Sequence, residues 1–378
     1  MICDDDYTRI EAILALSGLD SPEAEEQLLS AIDDSNQLLR KAALKVLGER
    51  FDLKYLPVFV AAFDDEAEEV RKIAAAYLLG VSDWEIRNET VTLLGAIKNP
   101  EYIPFLVRAL HDEYEIPDTA VNALIGLNDH QCIKPLIEII KNSDNDPPLR
   151  KCAMKVLSVF EDADVLDTLH TVLGDEAVGF DAARTLGMYP GLEARNLLLK
   201  ALVEGDSRTR LMAAAGVRYN GDARALLPLC SMLADIDPLL KSHAAYAIAG
   251  IAGNARESAD QGVGNAGTDL TSAIKPLMCA MDDNDENVRK AVFEALGRIN
   301  SQESFPFLLS ALRDPSPWVV SATVSALGEM KCVEAIEPLL DLIANGTEVN
   351  HSIRLSVLCA LGEIGNQMAS KALDDLDE

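Results

Sequence analysis

The amino-acid sequence predicts an all-α fold, an α-solenoid of stacked helical hairpins, and three observations predict it. The first is a hydrophobic period. Between Ile274 and Asn300, residues Ile274, Leu277, Met278 and Met281 stand at i, i+3, i+4 and i+7, one apolar stripe of a helix termed A. The acidic run Asp282-Asp283-Asn284-Asp285 then offers side-chain oxygens to the free N–H groups of a new helix. That helix, termed B, carries a second stripe of Val288, Ala291, Val292, Ala295, Leu296 and Ile299. Neither helix could bury its stripe alone, so the pair must pack on copies of itself.

The second observation is a ruler of small residues at the ends of the B helices. It falls at Gly18, Gly48, Gly80, Gly95, Gly126, Ser158, Gly187, Arg218, Gly250, Gly297, Gly328 and Gly362. Most intervals suit one helix-turn-helix unit. The third is a set of prolines in phase with that ruler: Pro57, Pro104, Pro135, Pro228, Pro276, Pro306 and Pro338 recur near the starts of A helices, where a missing N–H costs little. Strand signals are scarce, with aromatic residues at only 5% and no sustained alternation of strand-favouring side chains.

Taken in order, residues 1–20 read as a lone B helix, a half-repeat that caps the N-terminal end of a single array spanning 1–378. Hairpins follow at about 22–50 and from Leu53. Between Gly80 and Gly95 the ruler halves, because EEVRKIAAAYLLG is followed directly by WEIRNETVTLLG; two B-like helices adjoin and the stack should change register. Regular units resume from Glu101. The unit around Val165 to Met188 is short. Residues 254–270, NARESADQGVGNAGTDL, lengthen one interval and read as an exposed polar, Gly-rich loop insertion. The segment 367–378 reads as a C-terminal cap and tail.

Charge bounds the function. The chain has 62 acidic and 33 basic side chains, a net charge of −29, which argues against a surface that grips phosphates and so against nucleic acid. Residues 1–190 hold 36 acidic and 17 basic side chains, and residues 191–378 hold 26 and 16. The excess is either solvation of outer helical faces or complementarity to a basic protein docked on the N-terminal half. The seven cysteines are scattered without a C-x-x-C pair and read as reduced core residues of a cytoplasmic protein. MICDDDY has no basic n-region and no apolar run reaches a membrane span, so neither secretion nor membrane insertion is expected.

The segments DDSNQLLRKAALKVLGE, DDEAEEVRKIAAAYLLG, DDNDENVRKAVFEALGRI and DPSPWVVSATVSALGEM resemble HEAT repeats, specifically the short HEAT-like repeats of phycobilisome lyases. The resemblance covers nearly the full chain and implies a right-handed α-α superhelix of roughly eleven HEAT-like repeats. It also implies ladders built from a turn Asp and an Arg beginning helix B. Similar positions are held here by Asp33 with Arg40, Asp64 with Arg71, and Asp282 with Arg289. Arg87, Arg150, Arg210 and Arg354 match the Arg position, Lys241 substitutes for it, and Val320 abandons it. Arg40, Arg71, Arg150, Arg289 and Arg354 are therefore expected to be structural.

Chemistry finds little footing. HEAT-like hydroxylases that act on deoxyhypusine hold two irons with His-Glu pairs, and no His-Glu dipeptide occurs here. His111, His130, His170, His243 and His351 lie in different repeats, so no metal site is expected. Gly262 to Gly267 spells G-x-G-x-x-G, but it follows a helix rather than a strand and reads as a linker. Neither G-x-S-x-G nor a P-loop appears, so no catalytic residue and no cofactor are expected. Trp84 and Trp318 begin B helices and read as packing residues.

One departure points to a partner site. Arg218 takes the place usually given to Gly, with Arg208, Arg210, Tyr219 and Arg224 nearby; Arg and Tyr are frequent interface anchors, although a long Arg can also simply cap helix carbonyls. The expected function is a non-enzymatic scaffold or adaptor that binds a protein partner, a basic one by charge, on the concave face lined by B helices. The alternatives are a bilin lyase-like chromophore-handling subunit, which the repeat resemblance implies, and an acidic inhibitor or immunity protein. The sequence does not specify an oligomeric state.

Overall fold

The computed structural model describes residues 4–50, 53–260, 269–345 and 351–365. The described residues form helices and turns without a strand. They group as two compact units, Met1–Phe160 and Glu161–Glu378.

In the first unit the B-type helices are α1 (Asp4–Ala15), α3 (Gln37–Glu49), α5 (Glu68–Leu78), α6 (Trp84–Ile97), α8 (Ile116–Leu127) and α10 (Pro147–Leu157). The A-type helices are α2 (Pro22–Ile32), α4 (Leu56–Ala61), α7 (Ile103–Ala109) and α9 (Ile133–Lys141). Each B helix packs on the next B helix, and each A helix packs on the B helix that follows it. The core lies between the two layers. Leu28, Leu39, Leu44, Leu47 and Phe59 are fully buried in its first hairpins, as the apolar stripes require. Helix α1 has no A partner and lies against α3, while α6 follows α5 directly and stacks on α8, so the halved interval of the ruler is an extra B helix.

The second unit repeats this plan more regularly. Its A helices are α11 (Ala163–Thr171), α13 (Leu192–Glu204), α15 (Leu226–Met232), α17 (Thr271–Cys279), α19 (Phe305–Ala311) and α21 (Ile336–Asn345). Its B helices are α12 (Gly179–Met188), α14 (Ser207–Asn220), α16 (Pro238–Asp260), α18 (Glu286–Ile299), α20 (Pro317–Glu329) and α22 (His351–Ile364). Helix α17 starts three residues before Ile274, which places Pro276 inside the helix rather than at its first turn. In α18 the expected stripe is the buried face: Val288, Ala291, Val292, Ala295 and Leu296 are all at 0% exposure. Asp285 caps it by accepting from the Asn287 N–H at 2.7 Å.

The ruler residues have a physical cause that periodicity alone did not reveal. At Gly95, Gly187, Gly250, Gly297 and Gly328 successive B helices approach closely, whereas Gly18, Gly126 and Gly362 face open space. A Cβ on Gly187 would lie 2.2 Å from the Gly216 carbonyl oxygen, and one on Gly297 would lie 2.3 Å from the Ala326 Cβ. Such approaches leave room for hydrogen only. Arg218 departs from the rule without breaking the stack because α14 meets Gly187 through Gly216, and Gly250 of α16 accommodates the Arg218 backbone.

The expected loop at 254–270 begins later than its composition suggested. Helix α16 continues to Asp260, since Ala255, Arg256, Glu257 and Ala259 are good helix formers, and Arg256 donates to the Glu329 carbonyl at 3.3 Å. Residues 261–268 and the expected C-terminal cap at 367–378 lie outside the described residues.

Candidate functional site

The cationic side chains that begin the B helices form a system of rungs. Arg40 donates from Nε and Nη2 to both Asp65 carboxylate oxygens, each at 2.8 Å, and its Nη1 donates to the carbonyls of Asp34 and Ser35 in its own turn. Arg87 grips Asp112 in the same two-pronged way at 2.9 Å and caps Val81 and Ser82. Arg289 grips Asp314 and caps Asp283 and Asn284. Arg9 with Asp34 and Arg210 with Asp235 complete a series in which cation and carboxylate stand 25 residues apart. Arg40, Arg87 and Arg289 thus tie their own turns to the next repeat with the fork geometry that favours Arg over Lys, while Arg9 and Arg210 reach their carboxylates through one nitrogen each.

These are not the pairs suggested by adjacency in the sequence. Asp33 and Asp282 are exposed, and the Asp64 side chain lies outside the described residues. The receiving carboxylates sit one position further along the acidic run and in the following repeat, because stacking, rather than the local turn, brings them into reach. They also fix the turn into the next helix: Asp65 accepts from the Ala67 N–H and Asp314 from the Ser316 N–H, both at 2.8 Å. Burial pushes the carboxyls of Asp65, Asp112 and Asp314 up, but the guanidinium and the capping N–H together hold each below the ordinary carboxylate range.

Arg71 and Lys241 make rungs of other lengths. Arg71 grips Glu101 at 2.8 and 2.9 Å across the extra helix, and Lys241 reaches Asp283 at 2.5 Å across the insertion. Arg150 is buried and donates from Nε to the Ile140 carbonyl at 2.9 Å. Arg354 is exposed on α22.

The four residues singled out for partner binding are divided by the structure. Arg210 is held by Asp235 at 3.4 Å, and Arg224 is held by Asp222 at 2.6 Å and by Asn196 at 2.9 Å. Arg218 and Tyr219 remain exposed at the end of α14, the guanidinium 5.4 Å from the Tyr246 ring centre. Close by, the C-terminal ends of α16, α18, α20 and α22 border a polar cleft that includes Arg256, Arg298, Lys331, Glu257, Glu329 and Glu363.

Both tryptophans begin B helices but neither is packed away. Trp318 is 66% exposed, and Trp84 is 37% exposed and leans on Tyr114, itself 71% exposed, with ring centres 5.7 Å apart. Sequence reasoning missed Tyr114. Only its position between two glutamates in HDEYEIP hinted at a surface role.

Among the described residues no three His, Cys, Asp or Glu side chains converge as a metal-binding group, and no helix is long and apolar enough to cross a membrane. The described cysteines are free thiols, and burial raises that of Cys132 to about 11.

Models of HEAT repeats match residues 2–80, 133–215, 253–328, 274–352 and 305–378, so the chain belongs to the HEAT-repeat family. Among individual proteins it is similar to deoxyhypusine hydroxylase of Mus musculus, 26% identical over 209 residues, covering 51% of this chain and 61% of that protein. It is also similar to the bilin biosynthesis protein PecE of Nostoc sp., 24% identical over 129 residues, 34% of this chain and 46% of that protein. The chain thus spans less than two thirds of the relatives it matches. Among solved structures, Kap121p bound to Nup53p superposes with a TM-score of 0.56 at 16% identity, covering 95% of this chain and 43% of that one. Kap121p bound to the SUMO protease Ulp1p gives 0.57 at 17% identity, again over 95% and 43%. These likenesses establish the fold: an all-α, HEAT-type α-solenoid.

Proposed function

We propose that this chain is a non-enzymatic scaffold that binds a protein partner, and that the partner is basic. The observation that carries the reading is how the positive charge is used. Arg40, Arg71, Arg87, Arg210, Lys241 and Arg289 are each paired with one carboxylate in an internal rung, so the whole net charge of −29 falls on the remaining side chains, where carboxylates outnumber cations about two to one. An extended stack also suits macromolecular binding, since each repeat adds a few side chains to one long face. Kap121p, the structural neighbour, has been solved bound to Nup53p, Ste12p and Ulp1p, which supports a protein partner in kind. Arg218, Tyr219 and Arg224 are the exposed members of the expected partner site, and of these Arg224 is already held by Asp222.

Affinity purification with the full chain tests this, followed by a salt titration of the recovered complex. The expected partner is basic and is released steeply as salt rises from about 50 to 300 mM, because exposed charges are screened within ~8 Å at physiological ionic strength. An acidic partner held with salt-independent affinity overturns the reading. A second reading, bilin handling, is favoured by the similarity to PecE. It predicts a change in bilin absorbance on titration with the protein, and an unchanged spectrum removes it.

A further inference from the structure

Resting on the reading of a basic partner, we propose that the two-ring platform of Trp84 and Tyr114 is the arginine-docking point of the first unit, and that its occupant is an extended Arg-rich segment of the partner protein. Trp84 and Tyr114 form the described residues' only exposed aromatic ring pair in the first unit whose members are both at least a third accessible. Water is a poor environment for that much aromatic surface, and the stack does not need it there, since Trp84 is only the first residue of α6 and Tyr114 lies in the turn before α8. Tyr114 is held at φ +59, a left-handed conformation that a bulky residue rarely adopts. The other non-Gly residues with positive φ, Lys98, Asn128, Asn300 and Lys331, each follow the end of a B helix, where that conformation terminates the helix; Tyr114 does not.

The charge around the rings fixes the class of ligand. Glu113 and Glu115 flank Tyr114, while Asp83 and Glu85 flank Trp84, with Glu89 one turn further along α6; all five are exposed. Of the nearby cations, Arg108 is exposed on α7 and acts on Asp112, while two others are engaged. Arg87 is taken up by both oxygens of Asp112, and Lys155 by Asp118. An aromatic face flanked by five exposed carboxylates is complementary to a planar cation that also donates hydrogen bonds, which describes guanidinium better than ammonium. One guanidinium stacks on the open side of the Tyr114 ring, and neighbouring arginines of the segment meet the glutamates.

The chain reports on itself, because Trp84 and Trp318 are its two tryptophans. In full-length protein carrying Trp318→Phe, titration with a short Gly/Ser peptide bearing several arginines should change Trp84 fluorescence saturably, and the citrulline version of the peptide should not. Tyr114→Gly relaxes the backbone, so its fold should be kept, yet affinity should fall about two- to fivefold, the size of an exposed cation–π contact. Glu113→Gln with Glu115→Gln should lower affinity and flatten its salt dependence. Equal binding by Tyr114→Gly with intact circular dichroism, or a silent Trp84 while calorimetry shows the peptide binding, overturns this site and leaves the basic-partner reading standing. If calorimetry detects no binding of the arginine peptide anywhere on the chain, this site is overturned, and the basic-partner reading then fails separately if the purified partner is acidic.

Discussion

Two places break the repeat rhythm, and the molecule bridges them differently. Before α6 a whole A helix is missing; after α16 the interval to the next hairpin is long. Regular rungs join residues 25 apart. Across the insertion the rung from Lys241 spans 42 residues yet still ends on a turn aspartate, Asp283, which accepts from the Asp285 N–H just before the next B helix. Extra chain at the far end of a B helix therefore leaves the architecture of the rung intact. Across the missing helix, Arg71 instead takes Glu101, 30 residues on, at the entry to α7. Losing a layer changes the partner; lengthening the chain changes only the sequence separation. The extra helix then restarts the series in register, since Arg87 with Asp112 is again a 25-residue rung.

The strongest way to break this comparison is to ask whether α6 is a full member of the stack. Leu94 of α6 and Ile248 of α16 are both at 0% exposure, so Leu94→Ala and Ile248→Ala should each cost ~2–5 kcal/mol in urea unfolding. A near-zero cost at Leu94 alone would mean that α6 is an appendage. Next come the bridges themselves. Arg71→Met strands a carboxylate, Glu101, that is 12% exposed and was gripped by both oxygens, and should cost ~2–3 kcal/mol. Lys241→Met removes a single contact to Asp283 and should cost about half as much. Equal losses would contradict the distinction between a forked and a single rung. A glycine pair sharpens the same point: a Cβ on Gly95 of α6 would stand 2.6 Å from that of Ala123, whereas Gly126 of α8 faces open space. Gly95→Ala should destabilise by ~1–3 kcal/mol and Gly126→Ala should stabilise by ~0.5–1 kcal/mol, both read as shifts in urea midpoint.

Much of this fold was legible before any coordinates, for a physical reason. A helix must show its buried face every 3.6 residues, and helices that touch must be small at the touching point, so Leu296 and Gly297 are constrained by the same packing. Rung partners were less legible. In Asp282-Asp283-Asn284-Asp285 the carboxylates are alike in the sequence, and only the stack makes Asp283 the ligand of Lys241, Asp285 the helix cap and Asp282 a solvated surface group. Arg210 and Arg224 looked like free anchors because their partners, Asp235 and Asp222, lie in turns whose orientation the sequence does not encode. Tyr114 was invisible for a similar reason. Nothing in its residue type announces a left-handed backbone, which follows from how α7 turns into α8.

The smallest effect is the one that treats both bridges alike. The Arg71 guanidinium holds the Glu101 carboxyl below the usual range against the opposing effect of burial, and Lys241 with the Asp285 N–H does the same for Asp283. A carboxyl whose folded pKa is depressed binds its proton more readily when unfolded. Its contribution to stability is therefore fully present above the unfolded value near 4 and is lost as pH falls through the folded value. Urea midpoints should accordingly hold from about pH 7 to 5 and drop below about pH 4, the region where these carboxyls protonate. Glu101→Gln and Asp283→Asn should each start from a lower midpoint and lose ~1 kcal/mol less over that drop, since each removes one titrating group from the acid limb. An acid limb unchanged in both variants would mean that neither bridge is electrostatic in origin, and the contrast between them would then reduce to packing alone.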